Sequence, residues 1–261
     1  MAPRAPFDVA VIGPGRVGGS FAAALERAGH RVVARIGRAD DPSGVSEATV
    51  VVIAVPDDAL AESAGVVARL ARPGTVVVHT CGLQGLGPLA DCGPLIAAVH
   101  PAAPIASSDQ VLDGVLFGVT CGEDLREWCA DFVRDLGGAP SFITERERVL
   151  YHAALVMASN YTVSLAGDAA DILGDHRYLV PLLRSTVENI AAHGPDEALT
   201  GPIVRGDVGT VRAHLQALPD HLIEVYVANA RRALERAVAS RRLAPAAAAR
   251  VREALEEAMV R

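Results

Sequence analysis

The chain has 261 residues, a formal net charge of −7 and no lysine, so all 24 of its basic residues are arginines. The absence of lysine excludes a Schiff-base lysine, the lysine of a phosphate-binding loop and a lysine general base. Hydrophobic residues make up 51% and charged residues 21% of the sequence, which is enough apolar material for one large domain or two smaller ones.

The sequence also argues against several partners and locations. Nucleic-acid-binding domains usually carry a basic patch, whereas this chain is acidic. Its longest apolar run, residues 50–56, is far shorter than the ~20 residues of a membrane-spanning helix, and no signal peptide is evident. Because the four cysteines form no CxxC pair, we expect a cytoplasmic protein without a metal site.

The first half of the chain alternates between strand and helix patterns. Strands are predicted at residues 7–12, 31–36, 49–55, 75–79, 95–99 and 116–120, and helices at residues 16–28, 57–70 and 123–136. Asp57 or Asp58 is suited to cap the second of these helices. The alternation predicts an α/β domain with a mostly parallel sheet and helices on both faces.

After residue 144 the pattern changes to long helical segments with no convincing strand. Helices are predicted at residues 145–173, 178–192, 207–217, 219–240 and 245–260. Gly174 and the segment 193–195 are typical helix stops, and Asp207 is placed to cap the third helix. The sequence therefore predicts an α/β domain over residues 1–143 and an all-α domain over residues 144–261.

The first predicted strand leads into a glycine-rich loop of the form GxGxxG. Its residues are Gly13, Pro14, Gly15, Arg16, Val17 and Gly18. Gly13 permits a tight turn, Gly15 lets the backbone approach a pyrophosphate, and Gly18 allows the helix to pack closely on the sheet. Because the motif follows a strand and opens a helix, it predicts dinucleotide binding. The alternative is a glycine turn in a fold that has lost its cofactor.

The end of the second predicted strand favours NADP(H). NAD enzymes usually place an acidic residue here to bind the ribose 2′-hydroxyl, whereas residues 33–38 contain Arg35, Arg38 and no acid. Arginine is suited to bind a 2′-phosphate, and Arg38 lies just past the strand. Both arginines could instead be ordinary surface residues, and Asp40 and Asp41 could weaken the preference.

Further candidates follow other strands at the edge where ligands bind in such folds. We expect the backbone of Val55 and Pro56 to line the nucleotide, whereas Asp57 is equally suited to a helix cap or a ligand contact. His100 is a candidate titratable group in the site, and Thr80 is a candidate to hydrogen-bond the nicotinamide ribose or the substrate.

Motifs in both halves resemble those of a bacterial family of Rossmann-like proteins that carry a helical domain of unknown function 2520. The motifs are His79-Thr80-Cys81-Gly82, His100-Pro101, Tyr151-His152-Ala153-Ala154 with Ser159-Asn160, Leu199-Thr200-Gly201-Pro202 and Arg205-Gly206-Asp207. The family usually has serine in the first of these stretches. It falls in a wider group that resembles pyrroline-carboxylate reductase, ketopantoate reductase and 3-hydroxyisobutyrate dehydrogenase.

The resemblance implies a two-domain protein that binds NADP(H) and a small-molecule substrate. It implies an N-terminal Rossmann domain, and a C-terminal helical domain like that of 6-phosphogluconate dehydrogenase for substrate binding and dimerisation. It also implies a cleft between the two domains and homodimers built through the helical domain.

The helical half supplies three candidates for catalysis. In hydroxyacid dehydrogenases of this group a lysine lies four residues before an asparagine, and the corresponding pair here is Val156 and Asn160. Asn160 is our first candidate to orient the substrate or the nicotinamide amide, and a structural hydrogen bond between helices is the alternative. His152 and Tyr151 are candidate proton donors, or else helix-packing residues.

Arg205 is predicted to lie in a loop and is a candidate anchor for a substrate carboxylate, with an ordinary salt bridge as the alternative.

Together these features predict an NADPH-dependent reductase that transfers a hydride to a small imine or carbonyl substrate in the interdomain cleft. Without lysine, the proton must come from His100, His152, Tyr151 or water, which slightly favours an imine that arrives already protonated. One alternative is a non-catalytic NADP(H)-binding sensor or partner subunit. Another is a reductase that uses a deazaflavin coenzyme.

Overall fold

The computed structural model describes residues 5–260, and its contacts divide the chain into two compact units, residues 1–161 and 162–261. The first unit contains a seven-stranded sheet. Its strands are β1 (Asp8–Ile12), β2 (Arg31–Ile36), β3 (Val50–Ile53), β4 (Val76–His79), β5 (Ile96–Pro101), β6 (Leu116–Cys121) and β7 (Ala139–Phe142). Their order is β2-β1-β3-β4-β5-β6-β7, and every neighbouring pair is parallel except β5 and β6. The expected mostly parallel sheet is therefore confirmed.

Residues 5–159 also contain four α-helices. They are α1 (Arg16–Arg27), α2 (Leu60–Leu70), α3 (Arg126–Asp135) and α4 (Glu145–Ala158). The sequence placed the domain boundary at residues 143/144, whereas the contacts divide the chain at residues 161/162. The difference is α4, which joins the first unit because the side chains of Arg148 and Tyr151 bond to groups on β6 and β5.

Two details of the first unit differ from expectation. Asp57 and Asp58 do not cap a helix, because they lie inside a 3₁₀ turn, Asp57–Ala59, that precedes α2 and has no side-chain cap. Strand β7 was not predicted from the sequence. Its four residues include Pro140 and Ser141, and it lies at the edge of the sheet, where a proline is tolerated.

The sheet separates two apolar cores, as the two-residue period of strand side chains requires. Val9 and Val11 of β1 face a core that contains residues of α1 and α3, whereas Ala10 and Ile12 face a core that contains residues of α2. Strand β3 is buried along its whole length. The carboxyl ends of the strands are thereby held on a rigid scaffold.

The second unit is helical, as predicted. It contains most of α5 (Asn160–Leu173), followed by α6 (Leu179–Ala198), α7 (Pro202–Arg205), α8 (Val208–Ala217), α9 (Asp220–Ala239) and α10 (Pro245–Ala258). Its core is formed by α7 to α10. The side chain of Asp207 accepts a hydrogen bond from the Thr210 N–H at 3.1 Å, which confirms the expected cap of α8.

Three helix predictions need correction. Residues 145–173 form two helices, because the backbone of Ser159 departs from helical geometry, with φ −108° and ψ −72°. Arg205 lies in the short helix α7, which begins at a proline and ends at Gly206 in the left-handed conformation. Helical residues also continue beyond the expected stop at residues 193–195, although Gly194 interrupts α6 with a φ of 76°. None of the helices in residues 5–260 has the length and hydropathy needed to cross a membrane.

Candidate functional site

The glycine-rich loop connects β1 to α1 in the geometry that its motif requires. Gly13 has a φ of +84°, and a Cβ atom added there would lie 2.5 Å from the carbonyl oxygen of Ala54. A Cβ added at Gly18 would collide with the Gly13 carbonyl oxygen. Gly15 has no such neighbour within 4 Å, so open space remains beside its backbone. The loop is close-packed at its first and third glycines and open at the second.

A cavity of about 450 Å³ lies beside this loop, and every residue that lines it belongs to the first unit. The expected site residues on its wall include Arg16, Val17, Val55, Pro56, Thr80 and His100, and Asp57, a candidate for a ligand contact, lies there too. They lie at or just beyond the carboxyl ends of β1, β3, β4 and β5. Pro14 is exposed in the loop itself.

The loop and the cavity fit a dinucleotide. The N-terminus of α1, with its unpaired N–H groups and positive dipole end, begins at Arg16 on the cavity wall. The space beside Gly15 is where a Cβ would obstruct an approaching phosphate. Gly13 to Gly18, with Val55 and Pro56, would hold such a cofactor.

The charged residues near the end of β2 differ in their partners. Arg35 donates to the Glu26 carboxylate at 2.8 Å. Asp40 accepts from the Gly37 N–H at 2.7 Å, and Asp41 accepts from the Ser43 N–H at 3.0 Å. Arg38 is exposed and has no hydrogen bond or ion pair to another residue of the range 5–260. Both acids are therefore engaged with local backbone, whereas the Arg38 side chain is available.

His100 lies on β5 between the cavity and a tyrosine of α4. Its Nδ1 atom lies 3.0 Å from the Tyr151 hydroxyl oxygen, and the two rings are perpendicular. A Cβ added at Gly82 would lie 2.9 Å from His100 Nε2 and 2.5 Å from His152 Cδ2. His152 also lines the cavity. Three predicted candidates, His100, Tyr151 and His152, are thus brought together.

The pKa values of this cluster have clear physical causes. Burial, and then the positive charge of Arg148, lower the pKa of His100 from 6.5 to about 4. His152 lowers this pKa further, and Asp57 opposes the shift. Burial raises the pKa of Tyr151, so its hydroxyl keeps its proton. At neutral pH the pair therefore consists of a neutral imidazole and a neutral phenol.

His79 has a structural role in the loop after β4. Its Nε2 lies 2.8 Å from the Gly85 carbonyl oxygen, and its Nδ1 accepts the Cys81 N–H at 3.1 Å. Burial is the main cause that lowers the pKa of His79 to about 4. With both ring nitrogens in use, His79 orders the segment that contributes Thr80 and Cys81 to the cavity wall. No group of three or more potential metal ligands occurs in the described part of the chain.

Arg148 is a residue that the sequence analysis did not identify. It is fully buried, donates from Nη1 to the Thr120 hydroxyl at 3.0 Å, and donates from Nη2 to the Cys81 carbonyl at 2.6 Å. Its position three and four residues before Tyr151 and His152 puts all three on one helix face, which is the signal that could have revealed it.

Two predicted candidates lie elsewhere. Asn160 is exposed at the first turn of α5, after the break at Ser159, and does not line this cavity. Arg205 is exposed in α7 of the second unit. The roles predicted for these two side chains remain predictions.

Comparisons with known proteins agree with this architecture. Residues 38–101 match the family model of a Rossmann-like domain, and residues 115–233 match that of the domain of unknown function DUF2520. No curated protein has a significantly similar sequence.

Several solved structures are similar in fold. BF3122 from Bacteroides fragilis, named as a candidate NADP oxidoreductase, has a TM-score of 0.74 and 20% identity over 87% of this chain and 98% of its own. Protein TM1727 from Thermotoga maritima has a TM-score of 0.69 and 21% identity over 89% and 99%. Prephenate dehydrogenase from Aquifex aeolicus, solved with hydroxyphenyl propionate and NAD+, has a TM-score of 0.52 and 18% identity over 66% and 71%.

At these identities the likeness shows a shared fold. The chain carries a Rossmann-like domain match and a DUF2520 match on separate segments, as its sequence motifs predicted.

Proposed function

We propose that the protein is an oxidoreductase that uses a nicotinamide dinucleotide and reduces a small carbonyl or imine substrate in the cavity of the first unit. The observation that carries this proposal is the convergence of two features on one cavity: the glycine-rich loop, and His100 with its Tyr151 partner. The names of the similar structures, which include an oxidoreductase and a dehydrogenase, support the reaction class.

The chain's own residues would bind and orient the reactants. A bound dihydronicotinamide would supply the hydride. The glycine loop holds the pyrophosphate through backbone N–H groups. In the tautomer that we propose, the Tyr151 hydroxyl donates a hydrogen bond to His100 Nδ1, and the imidazole proton is on Nε2, beside Gly82 and the cavity. Nε2–H then donates a hydrogen bond to the substrate heteroatom and orients it.

NADP(H) is the form of cofactor that we propose. Arg38 is exposed and unengaged at the end of β2, whereas Asp40 and Asp41 bond to local backbone N–H groups and do not compete for it. Arg38→Gln should weaken NADPH binding about 10- to 150-fold, as the loss of a charge-assisted contact implies, and leave NADH binding unchanged. Arg35→Gln is the matched control. Equal effects on both cofactors would contradict the assignment.

Cofactor binding can be tested at a glycine that has room for a methyl group. Gly15→Ala should fold normally, because no atom lies within 4 Å of the added Cβ, yet it should lose NADPH affinity by about tenfold or more because the methyl group obstructs the pyrophosphate. Gly65→Ala is the matched control in α2, outside the cavity. Fluorescence titration measures NADPH binding by both variants. NADPH binding by Gly15→Ala that equals wild type would contradict the site.

Turnover is tested with NADPH and a panel of 2-keto acids and cyclic imines. His100→Gln should lower kcat/KM about 10²- to 10³-fold with NADPH affinity retained, because the hydrogen-bond donor to the reacting heteroatom is lost. His193→Gln, a change at an exposed histidine of the second unit, should leave the rate unchanged. NADPH binding with no turnover of any panel member would favour a cofactor sensor over an enzyme.

We also propose that the protein forms a homodimer through α5 and α6. Neither helix has a buried residue, and Val163, Val180, Leu182 and Val187 are all more than half exposed. Helices of this kind gain stability by burying an apolar face, and an exposed apolar patch of this extent marks an interface.

A second copy is the partner that fits this face best. Arg184 and Glu188 lie one turn apart on α6 and form no ion pair within residues 5–260, so a two-fold antiparallel pairing of α6 would bring opposite charges together. Leu182→Asp combined with Val187→Asp should convert a dimer into a monomer in light scattering. Val111→Asp, at an exposed valine of the first unit, should leave the dimer intact. A monomeric wild-type protein at micromolar concentration would contradict the proposal.

A further inference from the structure

Arg148 carries a buried positive charge that has no carboxylate partner. Its side chain is inaccessible to solvent and forms no ion pair within residues 5–260. Glu145, three residues earlier on α4, attracts its charge only from a distance and instead accepts a hydrogen bond from the Leu86 N–H. Within the described residues the two hydrogen bonds of Arg148 go to neutral oxygens, and its Nε–H has no acceptor. The ion-paired arginines, such as Arg31 and Arg236, are on the surface. Because burying an unpaired charge is strongly unfavourable, a residue of this kind indicates a function.

The guanidinium lies directly behind the wall of the cavity. It donates a hydrogen bond to the carbonyl of Cys81, and Cys81 and Gly82 both line the cavity. His100 and His152 contact Gly82, and Tyr151 lies on the same helix face as Arg148, one turn further along. The Arg148 guanidinium is thus hydrogen-bonded to a residue that lines the cavity, where a substrate would bind.

The other charged groups near His100 do not offset the positive charge of Arg148. The charged and titratable groups around His100 are Arg148, Tyr151 and His152 on α4, His79 on β4 and Asp57 in the 3₁₀ turn. Asp57 is the one acid among them, and it is exposed to solvent, which screens its charge, whereas Arg148 is not. Arg16 and Asp57 both lie exposed on the cavity wall, and their opposite charges offset each other. The buried charge of Arg148 is therefore the one that no charged side chain of the wall offsets.

We propose that Arg148 is a positioning residue whose buried charge acts on His100 and makes the cavity selective for a carbonyl substrate with a neighbouring carboxylate, such as a 2-keto acid, over a protonated imine. This inference rests on the proposed oxidoreductase function and narrows its substrate class.

The preference for a carbonyl follows from the negative charge that develops on its oxygen during reduction. In carbonyl reduction the carbon gains a hydride, with its two electrons, from a dihydronicotinamide, which is thereby oxidised. The C=O π electrons become a lone pair on oxygen, and this oxygen then takes one proton from solvent. Negative charge on oxygen is stabilised by the Nε2–H of a neutral His100 and by the field of Arg148. A protonated imine would bring a positive charge toward the same field.

The first test measures the titration of His100 by NMR in the full-length apo protein, with ¹³C-labelled histidine and assignment by His100→Gln. In wild type the midpoint is expected at about 4. Arg148→Gln should raise it measurably toward 6.5, because the second-largest cause of the low pKa is removed, and Arg148→Lys should restore the low value. Arg146→Gln, an exposed position on the same helix, is the matched control. An unchanged midpoint in folded Arg148→Gln would overturn the inference.

The second test needs only the wild-type protein, so it holds if Arg148→Gln does not fold. Two probes of opposite charge are titrated at pH 7 while the His100 resonance is followed: oxamate, an anion shaped like a 2-keto acid, and pyrrolidinium, a cation shaped like a protonated cyclic imine. Oxamate should bind about tenfold more tightly or better. Wild type that binds pyrrolidinium at least as tightly as oxamate would overturn the charge preference.

Both tests are independent of the cofactor. If NADPH does not bind, the proposed oxidoreductase function fails, while the His100 midpoint still reports on Arg148 and the probe ratio still reports on the charge preference of the cavity. If NADPH binds and is consumed but the midpoint does not respond to Arg148→Gln, the function stands and the role of Arg148 fails.

Discussion

The sheet of the first unit buries its apolar residues, whereas the helices α5 and α6 expose theirs. Phe117 on β6 is fully buried within the core beside α1 and α3, and all four residues of β3 are buried. On α6, by contrast, Val187 is 65% exposed, and on α5 Val163 is 71% exposed. The first unit thus completes its core within one chain, whereas α5 and α6 leave apolar surface uncovered.

This difference shows where the candidate site obtains its rigidity. The cavity lies at the carboxyl ends of the strands of a sheet that has an apolar core on each face. The glycine loop and His100 are therefore held by packing within the first unit. The exposed helices contribute no residue to that cavity. We therefore expect substitutions in the two regions to affect different properties of the protein.

The largest expected contrast is in the free energy of unfolding. Phe117→Ala should destabilise the first unit by about 3–5 kcal/mol, because it leaves a cavity in a packed core. Val187→Ala, on the exposed face of α6, should change the stability of the monomer by about 0.5 kcal/mol or less. Urea unfolding followed by the fluorescence of Trp128, which stacks on Phe132 in the first unit, measures the larger effect. A loss below about 1 kcal/mol for Phe117→Ala would contradict a closed core.

A second prediction concerns pH. The pKa of His79 is lowered from 6.5 to about 4 in the folded protein, so the unfolded chain binds a proton at this residue before the folded chain does. The neutral form therefore contributes stability that is present above pH 6.5 and is lost as pH falls toward 4, by up to about 3 kcal/mol. His79→Gln should reduce this pH dependence, measured by urea unfolding at pH 4.5 and 7. His193→Gln should leave it unchanged, and an unaltered slope in His79→Gln would refute the assignment.

The smallest expected effect is an increase in the stability of the first unit. Gly65 lies inside α2 with no backbone atom close to its added Cβ, the nearest atom being the Arg69 Nη1 at 3.7 Å. Gly65→Ala should stabilise the first unit by about 0.5–1 kcal/mol, because alanine has a higher helix propensity than glycine. Thermal unfolding would detect this as a higher Tm. A lower Tm would indicate that α2 packs more tightly than the structure suggests.

Local sequence patterns were sufficient for much of the fold. The two-residue and 3.6-residue periods predicted the alternating strands and helices, and the GxGxxG spacing predicted the tight turn at Gly13 and the close packing at Gly18. Asp207 as a cap followed from its position before a helical pattern. The edge strand β7 was missed because its short sequence, with Pro140, has no apolar alternation, and only pairing with β6 makes it a strand.

The sequence by itself determined the Rossmann-like and helical parts, the nucleotide loop and the types of residue available for chemistry, because each of these depends on neighbours along the chain. Tertiary structure decided which of those residues meet. The contact between His100 and Tyr151 joins positions 51 residues apart. The burial of Arg148 depends on Thr120 and Cys81, which lie on two other segments. A local pattern does not specify such contacts, because the free energy that forms them comes from packing between distant parts of the chain.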